Sequence, residues 1–328
     1  MQKKIRLGII GAGRIVARVM TDLHNAQEIE LTAIAGMTSQ EAESAAQRYG
    51  IKLAFSSFEA MAECDAIDLA YIAIPNPFHA KFACMMMEHG KHVLCEKPLA
   101  MNDQEAHRMI ACAQENHVFL MEAMWTRFLP SMRDLAALIQ EGSIGEIHHI
   151  FGEFSYSLSS YDPLDRLFNP ALAGGALLDI GVYPLMTCTH LLGWQPEKVQ
   201  GLCVKTPQGV DMRACLQMLY LNGATAQIFC GMDARSDDVL RIYGTKGYIV
   251  MPGSWHPTSF TVYVKGEPEK TYSYQPENEG HHYEFDHVAQ CIRDGMTESP
   301  IIPWAESLAV AEICTQIRHE NGILYPGE

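Results

Sequence analysis

The sequence predicts an α/β protein: an amino-terminal, doubly wound parallel sheet, then a carboxyl-terminal α+β domain built on an open, mainly antiparallel sheet. Three observations predict it. Short Ile- and Val-rich runs alternate with amphipathic helical stretches as far as Gly142; the first such run ends in Gly11-Ala12-Gly13; and after Gly145 the texture changes to alternating, strand-like runs separated by Gly, Pro and Asn turns. At 328 residues the chain exceeds the size at which one hydrophobic core keeps growing. We therefore place two domains, 1–122 and 123–328, with the closing helices able to pack back on the first.

The elements follow in order. Ile5 to Ile10 reads as a buried strand running into Gly11, and Ile15 to Leu23 carries apolar residues at helical spacing. Ile29 to Ala35 is a second strand, and Gln40 to Tyr49 a helix closed by Gly50. Ile67 to Ile74 is a further strand; Pro77 opens a helix to Glu88, and Gly90 closes it before the strand His92 to Cys95. Asp103 to Asn116 is helical, Val118 to Met121 a strand, and Pro130 stands in the first turn of a helix ending near Gly142. Repeated strand–helix alternation means a parallel sheet. Glu146 to Ser157 then alternates, and several strands lie between Val199 and Tyr274. A helical segment from Gly175 to Leu192 interrupts them, and helices at His281 to Arg293 and Trp304 to Asn321 finish the chain.

Composition narrows the function. Hydrophobic content of 48% supports real cores, and a formal net charge of −15 argues against a nucleic-acid surface, which needs clustered Lys and Arg. The ten cysteines are scattered without C-x-x-C spacing, which reads as free thiols in a reducing cytosol. The apolar run at Ile5 to Ile10, broken by Arg6, is too short for a signal peptide or a membrane span. Neither His148-His149 nor His281-His282 has a complementary ligand set, so no metal is expected.

Chemistry points to two places. Gly11 and Gly13 allow a tight turn and close approach of backbone amides to a pyrophosphate at a helix start, which also places Arg14 and Ile15 beside it. The third motif position is Val16, with Ala17 next to supply a small residue. No acid ends the second strand to hold a ribose hydroxyl in Ala35-Gly36-Met37-Thr38-Ser39. The hydroxyls of Thr38 and Ser39, with Arg14 substituting for the usual arginine clamp, tilt the reading toward NADP over NAD.

Lys97, in Leu94-Cys95-Glu96-Lys97-Pro98-Leu99, falls at the carboxyl edge of a parallel strand, where open sheets bind ligands. A turn lysine on the surface is the commoner fate. Asp179 and Tyr183, four apart on a helix, share a face that can handle a proton, with Lys97 as the cation that would favour phenolate. Pro184 kinks or starts that helix. Trp125, Arg127 and Phe128 either line a pocket or form a packing cluster, and in Pro75-Asn76-Pro77-Phe78-His79 the histidine is placed toward a nicotinamide.

Four ordered landmarks, Gly11-Ala12-Gly13-Arg14, Pro75 to His79, Glu96-Lys97-Pro98 and Gly174-Gly175 through Tyr183, resemble the Gfo/Idh/MocA oxidoreductases over nearly the whole chain. Tyr183, where many members carry histidine, and Glu122 to Phe128 look like the branch of dimeric dihydrodiol dehydrogenase and glucose–fructose oxidoreductase. The resemblance implies an amino-terminal Rossmann domain, a homodimer through the carboxyl-terminal sheet and a cis Lys97–Pro98 bond. It also implies hydride transfer between NAD(P) and a sugar, polyol or trans-diol. Tyr183 would be general acid/base, Lys97 would stabilise the alkoxide and Asp179 would orient substrate, while Pro75, Asn76, His79 and Glu96 would contact cofactor. Two other readings stay open: a glycosidase working through transient oxidation by NAD, and a non-catalytic cofactor-binding sensor.

Overall fold

The computed structural model describes residues 3–158, 160–275 and 278–328. Of the loop from Leu158 to Ala173, expected to shape a pocket, Ser159 lies outside the described residues. The chain packs as two compact units, Met1–Trp125 with Asn278–Leu308, and Thr126–Glu277 with Ala309–Glu328.

In the first unit, β1 (Ile5–Ile10), α1 (Arg14–Val19), β2 (Ile29–Ala35), α2 (Ser39–Tyr49), β3 (Leu53–Phe55) and α3 (Phe58–Ala62) are followed by β4 (Leu69–Ile72), α4 (His79–Glu88), β5 (His92–Glu96), α5 (Asp103–Asn116) and β6 (Leu120–Ala123). All six strands are parallel, in the order β3-β2-β1-β4-β5-β6. Strands β4 and β6 are buried along their whole length, as two-sided coverage by helices requires. The order reverses between β1 and β4, the switch point at which open sheets bind ligands.

Four elements differ from expectation. Helix α1 stops at Val19, and Leu23 belongs to a separate 3₁₀ turn (Leu23–Asn25). Strand β3 and helix α3 were not legible, being three and five residues long. Strand β6 is Leu120–Ala123, two residues later than expected, although the Phe119 carbonyl before it already accepts Val93 N–H of β5 at 2.7 Å.

The first unit extends beyond the expected boundary at 122 to Trp125, whose ring stacks on His281 with centroids 4.4 Å apart. It also regains the segment holding the helix His282–Arg293. Trp304 Nε1 donates to Leu120 O at 2.9 Å, and Leu120 N to Thr297 O at 3.0 Å.

The second unit carries α6 (Pro130–Gln140), β7 (Ile147–Ser155), α7 (Val182–Leu192), β8 (Lys198–Lys205), β9 (Asp211–Leu219), β10 (Thr225–Gly231), β11 (Val239–Gly244), β12 (Gly247–Pro252), β13 (Ser259–Val264) and β14 (Lys270–Ser273). Its sheet runs β14-β13-β12-β11-β7-β10-β9-β8, antiparallel except for β7 with β10. Helix α8 (His282–Arg293) belongs to the first unit, and α9 (Trp304–Glu320) runs across the division at Leu308. Pro170–Leu192 is apolar enough to cross a membrane by length and composition, but 83% of its most apolar window is buried, as in a core helix. The ten cysteines form no disulfide.

Candidate active site

The candidate residues fall in both units and are taken unit by unit. In the first, β1 ends at Gly11, whose φ of +106° and whose place against Ala73 O (2.4 Å from a built Cβ) exclude any side chain. Gly13, by contrast, has open space where a Cβ would stand, and no side chain caps the helix it starts. One glycine makes the close turn and the other leaves the cradle open, so the residues present fit a dinucleotide pyrophosphate. The expectation for Ala17 is corrected: it is exposed, and Val16, fully buried, makes the helix–sheet contact.

Across the switch point, His79 is fully buried. Its Nδ1 stands 3.0 Å from Pro98 O and its Nε2 2.8 Å from Ile74 O, tying the end of β4 to the turn after β5. With no exposed side-chain surface, the ring ties these two turns together, a neutral imidazole donating to one carbonyl at a time; its expected contact with nicotinamide stays a proposal. Burial holds its pKa below the usual value. Pro75 is exposed and Asn76 half-buried in the 3₁₀ turn Asn76–Phe78, which no side chain caps.

Lys97 is half-buried immediately after β5, and the Lys97–Pro98 peptide is cis. Glu96 beside it is buried and accepts a hydrogen bond from the Tyr71 hydroxyl. Burial pushes the Glu96 carboxyl up, while Tyr71 and the Lys97 ammonium pull it back. Glu284 of α8, fully buried, is pushed well up by burial and then by the negative charges of Glu96 and Asp22. Trp125 is buried against His281, with the Arg18 guanidinium 5.6 Å from its ring centroid.

Glu122 ends this side of the site. Its Oε1 accepts Leu99 N–H at 2.9 Å, and burial pushes the carboxyl from 4.5 up to about 7. The folded state therefore holds a proton that the unfolded chain has released. Stability should fall by about 3 kcal/mol as pH rises from about 4.5 to about 7, then level off. Glu122→Gln should remove that slope, read as the variant-minus-wild-type difference in urea unfolding at about pH 5 and pH 8; identical slopes would show that the group does not titrate in this window.

In the second unit, Tyr183 stands in the first turn of α7, and Pro184 after it lies inside a continuous helical run, just past a π-helical turn, and does not start it. A π-helical turn, Leu177–Gly181, leads in and carries Asp179. The glycine pair before it has a steric reason. A Cβ at Gly174 would meet Leu167 O at 2.5 Å, and one at Gly175 (φ +124°) would meet Asp211 Oδ1 at 2.2 Å. Asp211 Oδ2 in turn accepts Leu177 N–H at 2.6 Å and anchors the turn; burial lifts that carboxyl to about 6.

Around Tyr183 the sequence left Phe154 and Tyr156 unnamed, while Trp255 was expected to shape the pocket. Phe154 meets the tyrosine edge to face at 5.8 Å and stacks on Trp255 at 5.4 Å with planes 7° apart. Tyr156, just past the end of β7, has its ring centroid 6.3 Å from that of Phe154, and its hydroxyl pairs with Asp179, which also accepts from Arg166 Nη2 at 3.1 Å. The i, i+2 spacing of Phe154 and Tyr156 was the available signal. Arg127 and Phe128 are both buried. Arg127 Nη2 lies 2.6 Å from His190 Nδ1 on α7, so a guanidinium proposed for substrate is engaged with that helix. Burial and then Arg127 push His190 down to about 3, leaving a neutral ring that accepts the bond. Among the described residues, no group of three or more His, Cys, Asp or Glu could hold a metal.

A glycine cradle at a parallel-sheet switch point, joined in one chain to an antiparallel unit carrying a tyrosine–carboxylate pair, defines a two-domain nicotinamide-dependent oxidoreductase. Residues 5–124 match the model of an oxidoreductase family with an NAD-binding Rossmann fold, and residues 132–250 the GFO/IDH/MocA C-terminal domain. The chain is 33% identical to trans-1,2-dihydrobenzene-1,2-diol dehydrogenase of Mus musculus, over 98% of each chain, and 34% identical to that of Xenopus tropicalis, over 97% of this chain and 98% of the relative. A 3-ketoreductase from Actinomadura kijaniata, solved with NADP and TDP-benzene, superposes with a TM-score of 0.85 at 27% identity, covering 97% of this chain and 98% of that one. The chain belongs to the Gfo/Idh/MocA oxidoreductase family and is a dehydrogenase or reductase that uses NADP or NAD.

Proposed function

We propose that this enzyme oxidises a secondary alcohol of a sugar, polyol or trans-dihydrodiol to the carbonyl, or the reverse, with Tyr183 as general acid/base and Lys97 assisting. The observation that carries the reading is the aromatic wall of Phe154 and Trp255 set against the Tyr183 ring, a surface suited to a flat or cyclic substrate whose hydroxyl meets a phenol. The likeness to dihydrodiol dehydrogenases along almost the full chain supports it.

When bound, nicotinamide supplies the hydride acceptor. In oxidation Tyr183 takes the hydroxyl proton, and the Lys97 ammonium stabilises the oxyanion left behind. Asp179, fixed by Arg166 and Tyr156, orients substrate. Gly11, Gly13, Arg14, Ile15, Thr38, Ser39, Pro75, Asn76 and Glu96 hold the cofactor in the first unit. Arg127 and Phe128 act by packing in the second unit, and Trp125 by stacking on His281 in the first. The test is absorbance of reduced nicotinamide with NAD+ and NADP+ in turn against aldoses, inositols and cyclic trans-diols. Growth with one class supports the reading; release of sugar from a chromogenic glycoside without net reduction would replace it with the glycosidase reading.

We also propose a homodimer through the open face of the eight-stranded sheet. Leu202 (78% exposed) and Val204 (48%) stand on β8, and Tyr243, Tyr248 and Tyr263 stack in a ladder across β11, β12 and β13. Light scattering should give twice the mass of one chain, and Leu202→Glu should halve it; a wild-type monomer would contradict the assignment.

A further inference from the structure

We infer that Glu41 is a specificity residue that sets this enzyme's preference for NAD over its 2′-phosphorylated form. The inference deepens the reading of the first unit as the dinucleotide domain and rests on it. In such domains the adenosine ribose lies at the carboxyl end of the second strand, where a carboxylate accepts its 2′-hydroxyl or an arginine receives a 2′-phosphate. Here that strand is β2, ending at Ala35, and Gly11 N donates to Ala35 O at 2.9 Å, which puts the glycine turn and the strand end side by side.

The acid missing from the strand is supplied by the helix. Glu41 Oε2 accepts Met37 N–H at 2.8 Å, folding the side chain back over the β2–α2 turn. At Gly36, the residue after the strand, a built Cβ would meet Glu41 Oε2 at 3.1 Å and Glu41 Cβ at 3.2 Å, so the carboxylate lies directly on that backbone. Thr38 Oγ1 is meanwhile occupied as the cap of α2, accepting Glu41 N–H at 3.2 Å. This fold-back is an ordinary helix cap, repeated at α5, where Glu105 Oε2 accepts Met101 N–H at 3.2 Å. Its place makes the difference: only the α2 cap stands at the end of β2.

With Oε2 held by Met37, Oε1 is the oxygen we assign to the ribose hydroxyl. A 2′-phosphate there would set a dianion against a carboxylate. No Lys or Arg lies in the stretch from Gly36 to Gln40, and Met37 is 75% exposed in the position of a clamp. Arg14, exposed at the start of α1, is the cation that weighs the other way. It lies on the glycine turn, the pyrophosphate side of the site, and carries charge that both cofactors share.

The test is the dissociation constant of NAD+ and of NADP+, each by titration calorimetry, with no substrate present. We expect NAD+ to bind wild type at least about tenfold more tightly, a difference of about 1.4 kcal/mol. Glu41→Gln, which keeps an oxygen for the cap while removing the charge, should shrink that ratio by about tenfold, chiefly through tighter NADP+. An unchanged melting temperature checks that the fold is intact. Tighter binding of NADP+ to wild type, or an unchanged ratio in Glu41→Gln, would overturn this inference and leave the dinucleotide reading standing. Binding of neither cofactor would overturn both.

Discussion

Replacing Lys97 by Met, or Tyr183 by Phe, should each lower turnover by about 10²–10⁴-fold while cofactor binding survives. Both substitutions suit their surroundings. Lys97 is half-buried after β5, where Met keeps the length of the stem without the charge. Phe keeps the Tyr183 ring, 7% exposed and packed on Phe154, and removes only the hydroxyl. If both groups serve one oxygen, as proposed, the two losses should not add in the double variant: without its cation the oxyanion is costly, and without its base it does not form. Steady-state rates with the best substrate, alongside calorimetric cofactor affinity, check this. Near-normal turnover in either variant would remove that residue from the chemistry.

The largest effect on stability is expected from Arg318→Met, at about 3–5 kcal/mol. Arg318 is fully buried and binds Glu328 in both directions of its fork, Nη1 to Oε2 at 2.9 Å and Nη2 to Oε1 at 2.7 Å. Its guanidinium lies 4.2 Å from the centroid of the Tyr325 ring, and Tyr325 Oη donates to Gly174 O at 2.6 Å. Losing the arginine strands a buried carboxylate and loosens the ring that holds the turn leading toward Asp179 and Tyr183. Removing both charges in Arg318→Met with Glu328→Leu should recover most of the loss, since the uncompensated charge is the main cost. Urea unfolding of the three proteins decides it; a loss below about 1 kcal/mol for the single variant would show the pair to be dispensable.

Strong, repeated patterns made the parallel half of the fold legible. Helix α5 was read with its observed limits because Asn102 caps it from the sequence side and the apolar face is regular. Short elements escaped: β3 has two exposed residues of three, so no burial pattern marks it. The site was legible as motif but not as environment. His79 and Arg127 have the chemistry of ligands, and no sequence pattern shows that both are buried, one beside backbone carbonyls and the other beside a histidine. Glu41 was missed for the opposite reason. The acid was sought on the strand, although Thr38-Ser39-Gln40-Glu41 carries the spacing of a capping box that returns a carboxylate to the strand's end.

The most direct measurement is a single turnover with substrate bearing deuterium on the carbinol carbon. We expect the label on C4 of the reduced nicotinamide, formed more slowly than with protium, and no such product from Lys97→Met or Tyr183→Phe on the same timescale. Label lost to water, or product formed with the cofactor unreduced at the end, would contradict a dehydrogenase in which these two residues act on one hydroxyl.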